Sequence, residues 1–176
     1  MSANADKTSD SNLLPLPGWG TGQRLIADIA AHLRRPEVLP GKCDVVESLR
    51  GLPKPGGRRT IAVLPLSERA ERPLSSTGRP VQICTLEFGV LTRQPLVNDP
   101  GGARGRADLA NLLEGTRGAL CGWVPALLTE PLKWSGGALQ SLDASSAIWL
   151  DRWQAIWVAE HDDRGGTPQD DLGDCT

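Results

Sequence analysis

The sequence predicts a single domain that combines helices with a sheet, and three observations carry that prediction. Two segments, Leu25 to Leu33 and Leu109 to Leu120, space their apolar residues as helices do. Two others, Thr60 to Leu66 and Val81 to Thr92, are strand-like runs of β-branched and other apolar residues. Both ends of the 176-residue chain are polar and offer little to a core, so one core is expected and not two. The domain is placed at residues 19–160, between a flexible N-terminal segment (1–18) and a flexible acidic tail (161–176).

Residues 1–17 are expected to stay mobile, because their apolar area does not offset the entropy of ordering. Thr21 is placed as the N-cap of the first helix, whose stripe is Leu25, Ile26, Ile29, Ala30 and Leu33. That helix should end near Arg35, since Pro36 disfavours helical geometry before it. Cys43 to Leu49 reads as a short strand and Gly51 to Gly57 as a loop. Thr60 to Leu66 suits a strand buried on both faces, with Pro65 ending its pairing. Ser67 to Arg79 reads as a long exposed loop. Val81 to Thr92 is the longest strand, and its imperfect alternation calls for a bulge or a two-sided environment.

A loop from Gln94 to Gly105, with Asn98 and Asp99 at its tip, leads to the second helix. That helix carries Leu109, Leu112, Leu113, Thr116, Ala119 and Leu120 on one stripe and should stop at a left-handed Gly122. Its glycines 105, 115 and 118 weaken it by roughly 1 kcal/mol each, so packing must hold it. Residues 131–142 read as two short strands about a Gly136-Gly137 turn. The last apolar run, Ala147 to Glu160, satisfies both periods. Trp149, Trp153 and Trp157 recur every four residues, while Trp153, Ala155, Trp157 and Ala159 share one side of a strand.

Charge and composition narrow the function classes. A formal net charge of −2 gives no overall attraction to nucleic acid or to an anionic membrane. No apolar run approaches the roughly 18–20 residues of a membrane span. The start of the chain lacks the pattern of a secretory signal. Cys43, Cys84, Cys121 and Cys175 form no CxxC pair and read as reduced thiols. With six Trp, one Phe and no Tyr, aromatic packing rests on indole rings, and Trp149, Trp153 and Trp157 are assigned to the core.

Catalytic parts are sparse. His32 and His161 read as solvated surface histidines. The glycine-rich stretches 18–22 and 101–105 lack the Lys-Ser/Thr ending of a phosphate loop. The aspartates of the C-terminal tail lack calcium-loop spacing, and no Gly-x-Ser-x-Gly elbow presents a nucleophile. No catalytic, cofactor or metal residue is assigned, and no cofactor is expected. Arg58, Arg59, Arg69, Arg72 and Arg79 make the first half locally basic, and Trp19 stands in a Gly- and Pro-rich entry segment suited to docking on a neighbour.

The succession Gly105 to Leu109, Leu112, Leu113, Leu120 and Gly122-Trp123-Val124-Pro125, then Leu132-Lys133-Trp134-Ser135-Gly136-Gly137 and a last run with Trp153 and Trp157, resembles the C-terminal half of phage tail terminator proteins. The opening helix, the apolar strand at Ile61 to Leu66, the charged loop and the strand from Val81 extend the resemblance to roughly residues 21–160. It implies an α+β fold, a mixed or antiparallel sheet of about four to six strands with two helices mainly on one face, and it makes the final run a strand.

It further implies a non-enzymatic virion protein, made in the host cytoplasm, that closes a ring, typically hexameric, on the head-proximal end of the tail tube. The expected partners are further copies of the chain, the tail tube protein and a head–tail connector or head-closure protein, with non-specific contact to passing DNA as an additional expectation. Trp19, Arg58, Arg59, Arg69, Arg72, Arg79, Asn98, Asp99 and Arg104 are the candidate interface residues. The alternatives are another neck component, such as a tail completion or head-closure protein, and a small cytosolic enzyme or binding module.

Overall fold

The computed structural model describes residues 20–39, 43–47, 58–71, 81–96 and 103–160. Trp19, Arg72, Arg79, Asn98, Asp99, His161, Cys175 and both terminal segments lie outside the described residues. Seven elements follow in order: α1 (Thr21–Leu33), β1 (Asp44–Val46), β2 (Thr60–Ala70), β3 (Val81–Pro95), α2 (Ala103–Leu120), β4 (Lys133–Leu142) and β5 (Ser146–Glu160). The strands make one sheet in the order β1-β2-β3-β5-β4, with β1 parallel to β2 and every other pair antiparallel. The expected α+β class and mixed sheet are what the structure shows.

The period of each element decides what it buries. Along β3, Cys84, Leu86, Phe88 and Val90 share one face and stand opposite Trp157, Ala155, Trp153 and Asp151 of β5. Ile61 and Val63 of β2 continue that face beside Thr92 and Val90. The α1 stripe, Leu25, Ile26, Ile29, Ala30 and Leu33, packs on this surface with Leu112 and Leu120 of α2. Farther along, Leu109 and Leu113 of α2 meet Ala147 and Trp149 of β5. Both helices therefore cover the same face of the sheet. Full burial of each Leu or Ile on it contributes about 1.5–3 kcal/mol. Phe88 and Trp153 form its centre, their rings stacked with centroids 6.5 Å apart.

The final run is a strand, so Trp153 and Trp157 point under the helices and are buried, as assigned, while Trp149 is half-buried against α2. Gly122 takes the left-handed conformation (φ 80°) two residues after α2, and the Cys121 N–H donates to the Arg117 carbonyl, as the stop signal required.

Five local expectations are corrected. The residue that caps α1 is Gly20, at φ 93°, and Thr21 is already helical and buried. With no side-chain cap, the positive end of the helix has the Glu68 carboxylate beside it, 2.7 Å from where a Cβ on Gly22 would stand. Pro65 does not end β2. Pairing resumes at Ser67↔Glu87 after a register shift, because a bulge accommodates a residue without an N–H. Ser67 to Ala70, read as loop, is therefore strand, and Gln94 and Ala103–Gly105, also read as loop, belong to β3 and α2.

Gly136-Gly137 is likewise no turn: β4 runs through it as one strand, with register shifts after Trp134 and Leu139. The turn lies at Asp143, whose Oδ1 accepts the Ser145 N–H (2.7 Å), the Ser145 hydroxyl (2.6 Å) and the Ser146 N–H (2.9 Å). The last correction concerns His32. It is half-buried, stacked on Trp123 at 4.0 Å, and its Nε2 lies 3.1 Å from the Ala119 carbonyl oxygen.

Candidate interaction surfaces

Among the described residues, the arginines named from sequence, Arg58, Arg59, Arg69 and Arg104, do not gather into one basic patch. Arg58 is 81% exposed and lies 3.9 Å from Asp44. Arg59 reaches α2, where its Nη2 is 3.0 Å from Asp108 Oδ2, and ties the start of β2 to that helix. Arg69 stands near the other end of β2, 3.4 Å from Glu87. Arg69 lies ten residue steps along the chain from Arg59, about 33 Å at the usual strand rise. Arg104 is exposed in the first turn of α2. Each of Arg58, Arg59 and Arg69 has an acidic neighbour, so little uncompensated positive field is left at these three sites for DNA.

The most developed polar cluster was not singled out from sequence. Asp151, 1% exposed on the helix-covered side of β5, accepts two hydrogen bonds from Arg117 of α2, Nε to Oδ2 at 3.0 Å and Nη2 to Oδ1 at 2.8 Å. The indole N–H of Trp149 donates to the same Oδ1 at 3.0 Å, and that of Trp134 on β4 at 3.4 Å. The Arg117 guanidinium lies 4.9 Å from the Trp134 ring centroid and 5.8 Å from that of Trp149. The hydrogen bond to Asp151 holds the Arg117 pKa above its usual value, against an opposing desolvation. A side chain on Gly137 would overlap Asp151 and the Trp149 indole nitrogen, so this glycine is a close approach. The cluster fastens α2 and β4 to β5. A charged residue in phase with Trp149 and Trp153 was the available signal of a buried partner.

Two kinds of surface remain open. An open groove of about 340 Å³ runs between α1 and the segment after α2, lined by Asp28, His32, Arg35, Trp123 and Val124 among others. Among the described residues, no group of three or more His, Cys, Asp or Glu side chains is placed to hold a metal ion. Nor is any described helix long and apolar enough to cross a membrane.

The other open surface is the sheet margin. Every residue of β4 except Gly136 is exposed, including Trp134 (51%), Leu139 (47%) and Leu142 (62%). At the opposite margin β1 covers β2 only from Thr60 to Ala62, and Pro65 to Ala70 are all exposed, Leu66 at 44%. Exposed strand edges with apolar side chains are pairing sites; β4 carries no charge from Trp134 to Leu142 to blunt its edge, whereas the β2 edge carries Pro65, a bulge, Glu68 and Arg69.

A comparison with curated proteins gives no match. The model of one family, described as phage tail terminator protein, matches residues 57–161, from the approach to β2 through the end of β5 and therefore α2 and four of the five strands, β1 lying outside it. The match spans more than half of the 176 residues, and the chain belongs to the phage tail terminator family.

Proposed function

We propose that this protein closes a homo-oligomeric ring, with six copies, on the head-proximal end of a phage tail tube, where it stops tube polymerisation and presents the surface to which the head attaches. Family membership across residues 57–161 carries the reading and points to a structural, non-enzymatic part of a phage tail. A tube grows because each added layer exposes the interface that the next layer uses. A ring that matches that interface below and differs above halts growth without any chemical step. Such rings need heterologous contacts that close by rotation, and a subunit with an open strand edge at each margin of its sheet has the required two different surfaces. The partners are the tube protein on one side and a connector or head-closure protein on the other.

The test is an infection lacking this chain. Tails of uncontrolled length that fail to join heads, restored by supplying the chain, are expected, together with a hexamer mass on isolated tail ends. Tails of normal length that remain headless would instead make it a head-joining neck component. Normal tails joined to heads would overturn the proposal.

A further inference from the structure

We infer that adjacent copies join by strand pairing, the outer edge of β4 in one copy lying antiparallel against the Pro65–Ala70 edge of β2 in the next. The inference rests on the ring reading and specifies its interface. Three observations converge. The two edges have opposite direction within the sheet, since β2, β3, β5 and β4 alternate, so a neighbour brought up by rotation presents β2 antiparallel to β4 with its helices on the same side.

The pleats also agree. On β4, Trp134, Gly137 and Leu139 lie on the helix-covered side, and on β2 so do Ala70, Glu68 and Pro65. Pairing Trp134 with Ala70, Gly136 with Arg69, Gly137 with Glu68, Ala138 with Ser67 and Leu139 with Pro65 keeps every side chain on its own face. It does so because the irregular positions, Ser135 on β4 and Leu66 on β2, are each skipped once. In this register a large side chain meets a small one at Trp134/Ala70, glycines meet the two charged residues, and the exposed Leu139 covers the exposed Pro65.

Charge does not oppose the pairing. From Trp134 to Leu142, β4 carries no charged residue to oppose Glu68 or Arg69. The next position along places Lys133, which lies 3.0 Å from Glu130 of its own chain, opposite Glu71, exposed just after β2, so that Glu71 would share the ammonium with Glu130. So short an edge falls below the roughly 800 Å² per partner of a stable standard interface. The contact therefore suits a ring that closes on a template at low concentration.

The test uses the full chain with Ser67→Cys and Ala138→Cys, in a background with Cys121→Ser and Cys175→Ser, supplied during an infection that lacks the native copy. Opposed antiparallel residues lie about 4.5–5.5 Å apart, within disulfide reach. Mild oxidation of the purified virions should give a covalent ladder in multiples of the subunit mass on a non-reducing gel, and neither single-cysteine chain should do so. A single band from tails that hold the double variant at ring stoichiometry would overturn the edge pairing and leave the ring standing. Absence of the native chain from tails would overturn the ring itself. Folding is controlled by Leu139→Lys, which changes an exposed side chain. It should keep the native melting curve and lose the ring, and an intact ring from this variant would also overturn the pairing. The exchange Lys133→Glu with Glu71→Lys should restore assembly that either change alone reduces by about threefold to fivefold.

Discussion

Arg117 and Asp151 form a pair whose members should respond unequally to removal. At 2.8 Å, with an effective dielectric constant of about 20, their gross attraction is about 6 kcal/mol. Desolvation of the carboxylate and partial solvation of the guanidinium take back about half, which leaves a cost of about 3 kcal/mol when one partner is deleted. The asymmetry lies in exposure. Asp151 is 1% exposed, whereas the Arg117 side chain is 33% exposed. Arg117→Ala strands a buried carboxylate that keeps only its indole donors, so the full cost of about 3 kcal/mol is expected. Asp151→Asn leaves a neutral group of the same shape and a guanidinium that water reaches, so about 1–2 kcal/mol is expected.

Urea unfolding at neutral pH measures both, with the midpoint moving and the slope unchanged. For a domain of this size the Arg117→Ala loss corresponds to a fall in Tm of roughly 6–12 °C. The double change Arg117→Gln with Asp151→Asn should cost less than the sum of its parts. Equal costs below about 0.5 kcal/mol for both single variants would refute the argument, because the pair would then behave as an ordinary surface salt bridge.

Glycine chemistry gives a matched contrast. Gly137→Ala forces a Cβ into Asp151 and the Trp149 indole and should cost about 1–3 kcal/mol. Gly118→Ala, at an exposed position of α2 where a Cβ would meet nothing within 4 Å, should stabilise by about 0.4–1 kcal/mol, both read from urea midpoints. Thiol reactivity should separate the cysteines in a Cys175→Ser chain. Burial and the neighbouring Asp44 carboxylate push the Cys43 thiol up to about 11, and burial also raises that of Cys84, so iodoacetamide at pH 8 should label exposed Cys121 first, as peptide mapping would show. The hairpin turn should show in acid. The Ser145 hydroxyl, then the Ser145 and Ser146 N–H groups, hold the Asp143 carboxyl below its usual value. A depressed folded-state value contributes stability above the unfolded carboxylate range, near 3.9, that is lost as pH falls through the folded value. Asp143→Ala should therefore flatten the acid limb of a melting profile and leave its neutral slope unchanged.

How much of this was legible in the sequence follows from where periodicity and composition are unambiguous. The α1 stripe was readable because five apolar residues fall on one helical face and on no strand face. β5 was not readable from periodicity, since tryptophans spaced by four also fall on one side of a strand, and the family resemblance alone made it a strand. Pro65 and the Gly136-Gly137 pair were misplaced for a common reason: residues that end or turn a strand are also those that a bulge or a close approach selects. The true turn uses the Asp143 side chain in place of a glycine. Arg117 and Asp151 are 34 residues apart, and no local pattern links two such positions. Of the interface residues named in advance, the described arginines were found spread along β2 and at the start of α2.

That dispersion bears on how such a ring would recognise its neighbours. Arg59 and Arg69 are paired with acids of their own chain, and one of those pairs holds α2 to β2. An exposed arginine that is already paired has little attraction left for an acidic partner, and exchanging one exposed salt bridge for another gains at most about 1 kcal/mol. The strand edges are different. An edge strand turns backbone N–H and C=O groups outward for a partner to pair, and the apolar side chains beside these edges, Trp134, Leu139 and Leu66, gain about 25 cal/mol for each Å² that a neighbour covers. Recognition built on edges is directional and register-dependent, so it selects a subunit of the same fold, whereas charge alone would accept many partners. Raising the salt concentration to 0.5 M should accordingly leave ring mass on isolated tail ends nearly unchanged, while a ring held by the arginines would dissociate.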